Sequence, residues 1–130
     1  MSKHDSHNTK ILFVDDETDI VEVLKRGLEM NGYTVETYTK PEHALENYKP
    51  NYYDRIFLDI RMPGMNGFDL AHAIWRQDSD AKICFFSAFE IYEDEANKVF
   101  KDMNTKCFLK KPITTQGMID HIEKHVINAS

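Results

Sequence analysis

The chain has 130 residues, with 16 Lys and Arg against 22 Asp and Glu, for a formal charge of −6. With 42% hydrophobic and 29% charged residues it reads as one folded soluble domain, long enough to bury a core without disulfides or a structural metal. The acidic balance argues against direct nucleic-acid binding, since phosphates are held mainly by Lys and Arg, and no apolar run is long enough for a membrane span.

Residues 1–9 carry no apolar block and read as a disordered polar tail, leaving 10–128 as the domain. Cys84 and Cys107 each sit inside an apolar run. That placement predicts two small buried core residues rather than a disulfide or a metal pair, and hence a reducing, cytoplasmic compartment.

Five β-type runs alternate with five helical patterns. The first run, Lys10 to Val14, is continuously apolar after its lysine, as a strand covered on both faces is. The helix after it has Ile20, Val23, Leu24, Gly27 and Leu28 on one stripe, with Thr18 as N-cap and Asn31-Gly32 as its end. The second run, Tyr33 to Thr37, alternates apolar and polar, as a half-exposed edge strand does. Pro41 opens the second helix, which turns Ala44, Leu45 and Tyr48 inward and stops before Pro50.

The third run, Arg55 to Leu58, and the fourth, Lys82 to Phe86, are again apolar; the fifth, Lys106 to Leu109, is too short to classify alone. The third helix carries Gly67, Leu70, Ala71 and Ile74, and the fourth carries Tyr92, Ala96, Val99, Phe100 and Met103. The last helix uses Thr115, Met118, Ile119, Ile122 and Val126. Strands alternating with helices imply a parallel sheet with right-handed crossovers and helices on both faces. The expected fold is a doubly wound three-layer α/β sandwich.

Ligands of such a sheet bind beyond the carboxyl ends of its strands. The first strand runs into Asp15-Asp16-Glu17, the third into Asp59, the fourth into Ser87 and the fifth into Lys110-Lys111-Pro112. Each feature has an ordinary explanation by itself. An acidic pair suits a helix N-terminus, a serine suits a turn, and a lysine before proline is usually solvated. Their convergence on one rim is harder to explain that way, because carboxylates this close repel one another. An all-oxygen donor set of this kind suits Mg²⁺. A carboxylate nucleophile, a divalent metal, an ammonium and a hydroxyl are the groups that phosphoryl transfer to an aspartate requires.

With Ile11 to Glu17, Leu58-Asp59-Ile60-Arg61-Met62-Pro63-Gly64-Met65-Asn66-Gly67, Phe86-Ser87-Ala88 and Phe108 to Pro112 in these places, the chain resembles the receiver domain of two-component response regulators, of the chemotaxis-receiver type. The resemblance implies a flavodoxin-like fold with five parallel strands in the order 2-1-3-4-5 and five helices. It implies that Asp59 accepts a phosphoryl group from a histidine kinase or histidine phosphotransfer protein. Asp15, Asp16, Asp59 and the backbone carbonyl of Arg61 would hold Mg²⁺. Ser87 takes the place of the switch hydroxyl, Lys111 that of the lysine before the proline, and Phe108 that of the switch aromatic.

The resemblance further implies no enzymatic activity beyond self-catalysed phosphorylation and autodephosphorylation. The output would be a homodimer or a downstream protein engaged through the fourth helix, fifth strand and fifth helix, in a stand-alone receiver or the front of a longer regulator. Arg61 and Phe89 occupy positions that govern water access to the phosphoryl group, and both are large, which predicts slow dephosphorylation. The segment Lys101 to Thr105 lacks the small Gly-Ala pair common in the family, so its turn is expected to differ.

Other readings are weaker. An aspartyl-phosphate hydrolase needs a second Asp where Arg61 stands, and a flavin-binding relative needs a Ser/Thr-rich loop where Asp15-Asp16-Glu17-Thr18-Asp19 stands. A phosphorylation-independent interaction module on the same fold is the remaining alternative. His121 and His125, at i and i+4, lack a third metal ligand in view and read as a solvated helix face.

Overall fold

The computed structural model describes residues 9–88 and 107–127, the last two without their side chains. The strands are β1 (Lys10–Val14), β2 (Thr34–Tyr38), β3 (Arg55–Asp59), β4 (Ile83–Ser87) and β5 (Phe108–Lys110), all parallel in the order β2-β1-β3-β4-β5. The helices are α1 (Thr18–Met30), α2 (Pro41–Glu46), α3 (Gly67–Gln77) and a C-terminal helix (Thr115–Ile122) that continues as a wider π-type turn over Glu123–Ile127. The fourth helical pattern, the Lys101 to Thr105 turn and Phe89 lie outside the described residues, as does the tail through Asn8.

Period-two alternation divides each central strand between two apolar layers. Leu12, Val14, Ile56, Leu58 and Phe85 pack against Leu70, Ala71, Ile74 and Trp75 of α3. Ile11, Phe13, Phe57, Cys84 and Phe86 pack against Leu24 and Leu28 of α1 and Met118, Ile119 and Ile122 of the C-terminal helix. The doubly wound three-layer sandwich expected from the strand–helix alternation is therefore the fold, with the flavodoxin-like strand order that the resemblance implies, and β2 is the edge strand that its alternation predicts.

Three local expectations are corrected. The N-cap of α1 is Glu17, not Thr18. The Glu17 backbone N–H is drawn to Asp15 Oδ1 at 3.0 Å, so the chain turns one residue early. The buried stripe of α1 is Val21, Leu24 and Leu28, whereas Val23 is 65% exposed. Leucines 24 and 28 fit either stripe, and the seat of α1 over β1 and β2 selects Val21. Tyr48 is buried as expected, but it lies beyond the end of α2, where its hydroxyl donates to Asp78 at 2.6 Å.

The largest correction concerns the cysteines. Cys84 and Cys107 are joined by a disulfide, their Cα atoms 4.7 Å apart. The Phe85–Phe108 pairing of β4 with β5 sets them opposite each other one step earlier in the register. Cys84 is fully buried, as predicted, whereas Cys107 is half-buried. The pairing also removes the ground on which the cysteines suggested a reducing compartment. Among the described residues no helix is long and apolar enough to cross a membrane.

Candidate functional site

The strand ends meet because the sheet is parallel and its central strands stop level with one another. Asp15 follows β1 and Asp59 ends β3, both adjacent to buried apolar residues, so both carboxyls start from a dry environment. Asp15 is fully buried and Asp59 is 3% exposed, while Asp16, one residue further on, is exposed. One carboxylate oxygen from each of Asp15, Asp16 and Asp59 lies within 4.8 Å of the others.

The loop after Asp59 is held by the Asn66-Gly67 pair. Asn66 caps α3 by accepting from the Asp69 N–H at 2.9 Å, and the Asp69 carboxylate accepts in return from the Asn66 N–H. Gly67 donates its N–H to the Ile60 carbonyl at 2.9 Å, bringing the start of α3 against the end of β3. Arg61 is exposed on this loop.

Lys111 crosses the rim from the residue after β5. Its backbone N–H donates to the Ser87 carbonyl at 2.8 Å, tying the two strand ends together. Its ammonium lies 2.8 Å from Glu17 Oε1, 3.0 Å from Asp15 Oδ2 and 3.4 Å from Asp59 Oδ2. Lys110 is exposed, and no described ion pair to these carboxylates involves it. Ser87 is buried at the end of β4, and Phe108 is half-buried and stacked on Phe85 with ring centroids 5.7 Å apart. The Lys111–Pro112 peptide bond is cis.

The electrostatics are those of crowded acids with one cation. Burial, and then the Asp15 charge, push Asp59 up to about 7, against the opposing pull of Lys111. Burial also raises Asp15, offset in part by the Glu17 N–H and Lys111. Burial works against the Lys111 ammonium, but Glu17 and Asp15 more than compensate and hold it protonated. Asp15 Oδ2 is buried and accepts no well-aligned hydrogen bond, even with the ammonium 3.0 Å away. Three hard oxygen donors, one with unsatisfied lone pairs, fit a divalent cation such as Mg²⁺.

A second group of side chains clusters elsewhere, around Arg55, for which the sequence suggested no role, and His121, expected on a solvated face. Arg55, at the start of β3, places Nη2 at 3.2 Å from His121 Nε2 and 3.4 Å from Cys107 Sγ. His121 is half-buried against the Phe57 ring, so it is not part of a solvated face; His125 is exposed. The disulfide supplies sulfur neighbours for His121 that the i, i+4 spacing alone did not reveal. The available signal was a charged residue opening an otherwise apolar strand.

Comparison with known proteins shows the family. Residues 11–123 match the response regulator receiver domain family. The non-phosphorylated receiver domain of HemR from Leptospira biflexa superposes with a TM-score of 0.80 at 30% identity, covering 94% of this chain and 96% of that one. TrrA from Thermotoga maritima, solved in complex with Mg²⁺ and BeF, gives a TM-score of 0.72 at 30% identity over 89% of this chain and 97% of its own. The transcriptional regulatory protein PrrA of Mycobacterium bovis is 29% identical over 114 residues, 88% of this chain and 48% of PrrA. The chain belongs to the receiver domain family of the response regulators of two-component systems. It spans about half the length of the transcriptional regulators it matches.

Proposed function

We propose that the domain spanning residues 10–128 is a phosphorylation-activated receiver that takes a phosphoryl group on Asp59 from a histidine kinase or a histidine phosphotransfer protein. The observation that carries this reading is the convergence of Asp15, Asp16 and Asp59 with the Lys111 ammonium at the carboxyl edge of the sheet. A carboxylate of Asp59 attacks phosphorus, and the bond from phosphorus to the donor nitrogen breaks, that nitrogen keeping its electron pair. Lys111, already beside Asp59, neutralises charge on the incoming phosphoryl oxygens. Ser87, at the end of the neighbouring strand β4, donates its hydroxyl to them.

Asp15, Asp16, Asp59 and the backbone carbonyl of Arg61 are the residues that would hold Mg²⁺. When bound, the ion supplies the positive charge that lets these carboxylates and a phosphoryl group share one site. The TrrA complex with Mg²⁺ and BeF supports that assignment by analogy.

Phosphorylation adds negative charge and acceptor oxygens beside Ser87, and movement of Ser87 opens space into which Phe108 turns from its stack on Phe85. The readout face, which includes β5 and the C-terminal helix, then engages a homodimer partner or a downstream protein in the cytoplasm; the fourth helical pattern expected beside it lies outside the described residues. The chain serves either alone or as the front half of a longer regulator.

Intact mass after incubation with acetyl phosphate tests this. One added phosphoryl group that requires both a divalent cation and Asp59, and is absent in Asp59→Asn, is the expected result. No adduct on folded protein from either acetyl phosphate or a phosphorylated histidine phosphotransfer protein would leave the phosphorylation-independent interaction module instead.

A further inference from the structure

Away from the carboxylate rim, on the face of the sheet covered by α1 and the C-terminal helix, Cys84, Cys107, Arg55 and His121 form a second chemical cluster. We propose that Cys107 and Cys84 are a redox-active pair, with Cys107 the thiol that reacts with hydroperoxides and Cys84 the thiol that resolves the product into the disulfide. This site does not depend on phosphorylation of Asp59.

Burial assigns the two roles. Cys107 is half-buried in the residue just before the edge strand β5, so an oxidant can approach it, whereas Cys84 is fully buried on β4 beside its partner. Charge identifies the reactive form. The Arg55 guanidinium touches Cys107 Sγ and His121 Nε2, its Nε is buried without a hydrogen-bond partner, and among the described residues no carboxylate pairs with it. A partly desolvated cation lacking an anion is costly.

In the disulfide neither sulfur carries charge, so among the described residues no anion matches Arg55. Reduction to a Cys107 thiolate supplies the missing anion at the atom Arg55 already touches. A thiolate stabilised by a neighbouring guanidinium forms at lower pH than a free thiol and reacts accordingly. His121, which faces Cys107 from the C-terminal helix with the His125 ring tilted against it, is neutral near pH 7 because burial, then Arg55, hold its pKa at about 4. Its Nε2 therefore accepts from Arg55 and adds no positive charge of its own.

The chemistry balances in two steps. The Cys107 thiolate attacks the terminal oxygen of a hydroperoxide; an S–O bond forms to give the sulfenic acid, the O–O bond breaks, and the alkoxide leaves with that electron pair and takes a proton from water to become the alcohol, so that sulfur is oxidised by two electrons and the peroxide reduced. The Cys84 sulfur, giving up its proton, then attacks Cys107 Sγ; the S–S bond forms and the S–O bond breaks, releasing water. A small thiol reverses the result by exchange.

The test starts from fully reduced, folded chain treated with hydrogen peroxide. Intact mass should fall by two hydrogen atoms, with both thiols lost together, at a rate above that of free cysteine at neutral pH. Cys84→Ser should accumulate a sulfenic acid on Cys107 that a dimedone probe captures, whereas Cys107→Ser should leave Cys84 unmodified. Arg55→Gln should slow the reaction about tenfold at neutral pH and move its pH midpoint upward, and Arg55→Lys should restore most of both. Circular dichroism on each variant establishes that it is folded. Reaction no faster than free cysteine, or Cys84 reacting first, or a rate indifferent to Arg55→Gln while Arg55→Lys is folded, would overturn the proposal.

Discussion

A methyl group at Gly67 would stand 2.4 Å from the carbonyl oxygen of Asp59 and 2.9 Å from the Ile60 Cα. Backbone cannot swing aside as the end of a side chain can, so the glycine is what permits α3 to start against the loop that presents Asp59. Gly67→Ala should destabilise the fold by about 2 kcal/mol, because the clash outweighs the ~1 kcal/mol an alanine gains in a helix. Urea unfolding checks the stability. Acetyl phosphate labelling should fall more than stability alone accounts for, since Asp59 itself is displaced.

Asp59 and Asp15 repel each other in a dry site, so removing one charge should help the metal-free fold. Asp59→Asn is expected to raise Tm in chelator above pH 7, where Asp59 is ionised. Adding Mg²⁺ should raise Tm of the wild type and leave the asparagine variant nearly unmoved. Equal Mg²⁺ responses in the two proteins would remove Asp59 from the metal-binding set.

The pH dependence of stability contains two opposed contributions. Asp59, raised from 3.8 to about 7, binds a proton in the folded state that the unfolded chain has lost, so its contribution falls as pH rises from 3.8 to 7. His121, lowered from 6.5 to about 4, is neutral when folded and charged when unfolded across that interval. Its contribution is present above pH 6.5 and is lost as pH falls toward 4. Asp59→Asn should therefore steepen the loss of stability on acidification, and His121→Gln should flatten it. Chemical denaturation at a series of pH values separates the two slopes.

Arg61 stands exposed on the loop after Asp59, and Phe89 follows Ser87 by two residues, outside the described residues. Both are large, and we expect them to shield the acyl phosphate from water. Arg61→Ala and Phe89→Ala should each shorten its lifetime severalfold, read as decay of the phosphorylated mass. Unchanged decay in both variants would assign the lifetime to other groups.

Much of this protein was readable before any coordinates. Strand–helix alternation predicted the layers, and apolar runs ending in Asp15, Asp59, Ser87 and Lys110-Lys111 predicted the rim, because a parallel sheet gathers its strand ends on one side whatever the details of packing. The inward faces of α3 and the C-terminal helix followed from 3.6-residue periodicity, since each has one unambiguous stripe. Helix α1 did not, because Leu24 and Leu28 satisfy two stripes and only the seat on β1 and β2 chooses Val21 over Val23.

The cluster of Cys84, Cys107, Arg55 and His121 lay beyond reach for a different reason. Its members come from two strands, the residue before a third and a helix, and nothing local to any of them reports the others. Cys84 and Cys107 face each other only because β4 and β5 pair in the Phe85–Phe108 register, and Arg55 reaches Cys107 from β3 while the C-terminal helix brings His121 to the same guanidinium. By itself the sequence determined the apolar runs and the polar residues that follow them, because hydrophobic period is a local property. The tertiary structure alone decided which side chains separated along the chain share a buried contact, because register and helix seating are settled by packing across elements.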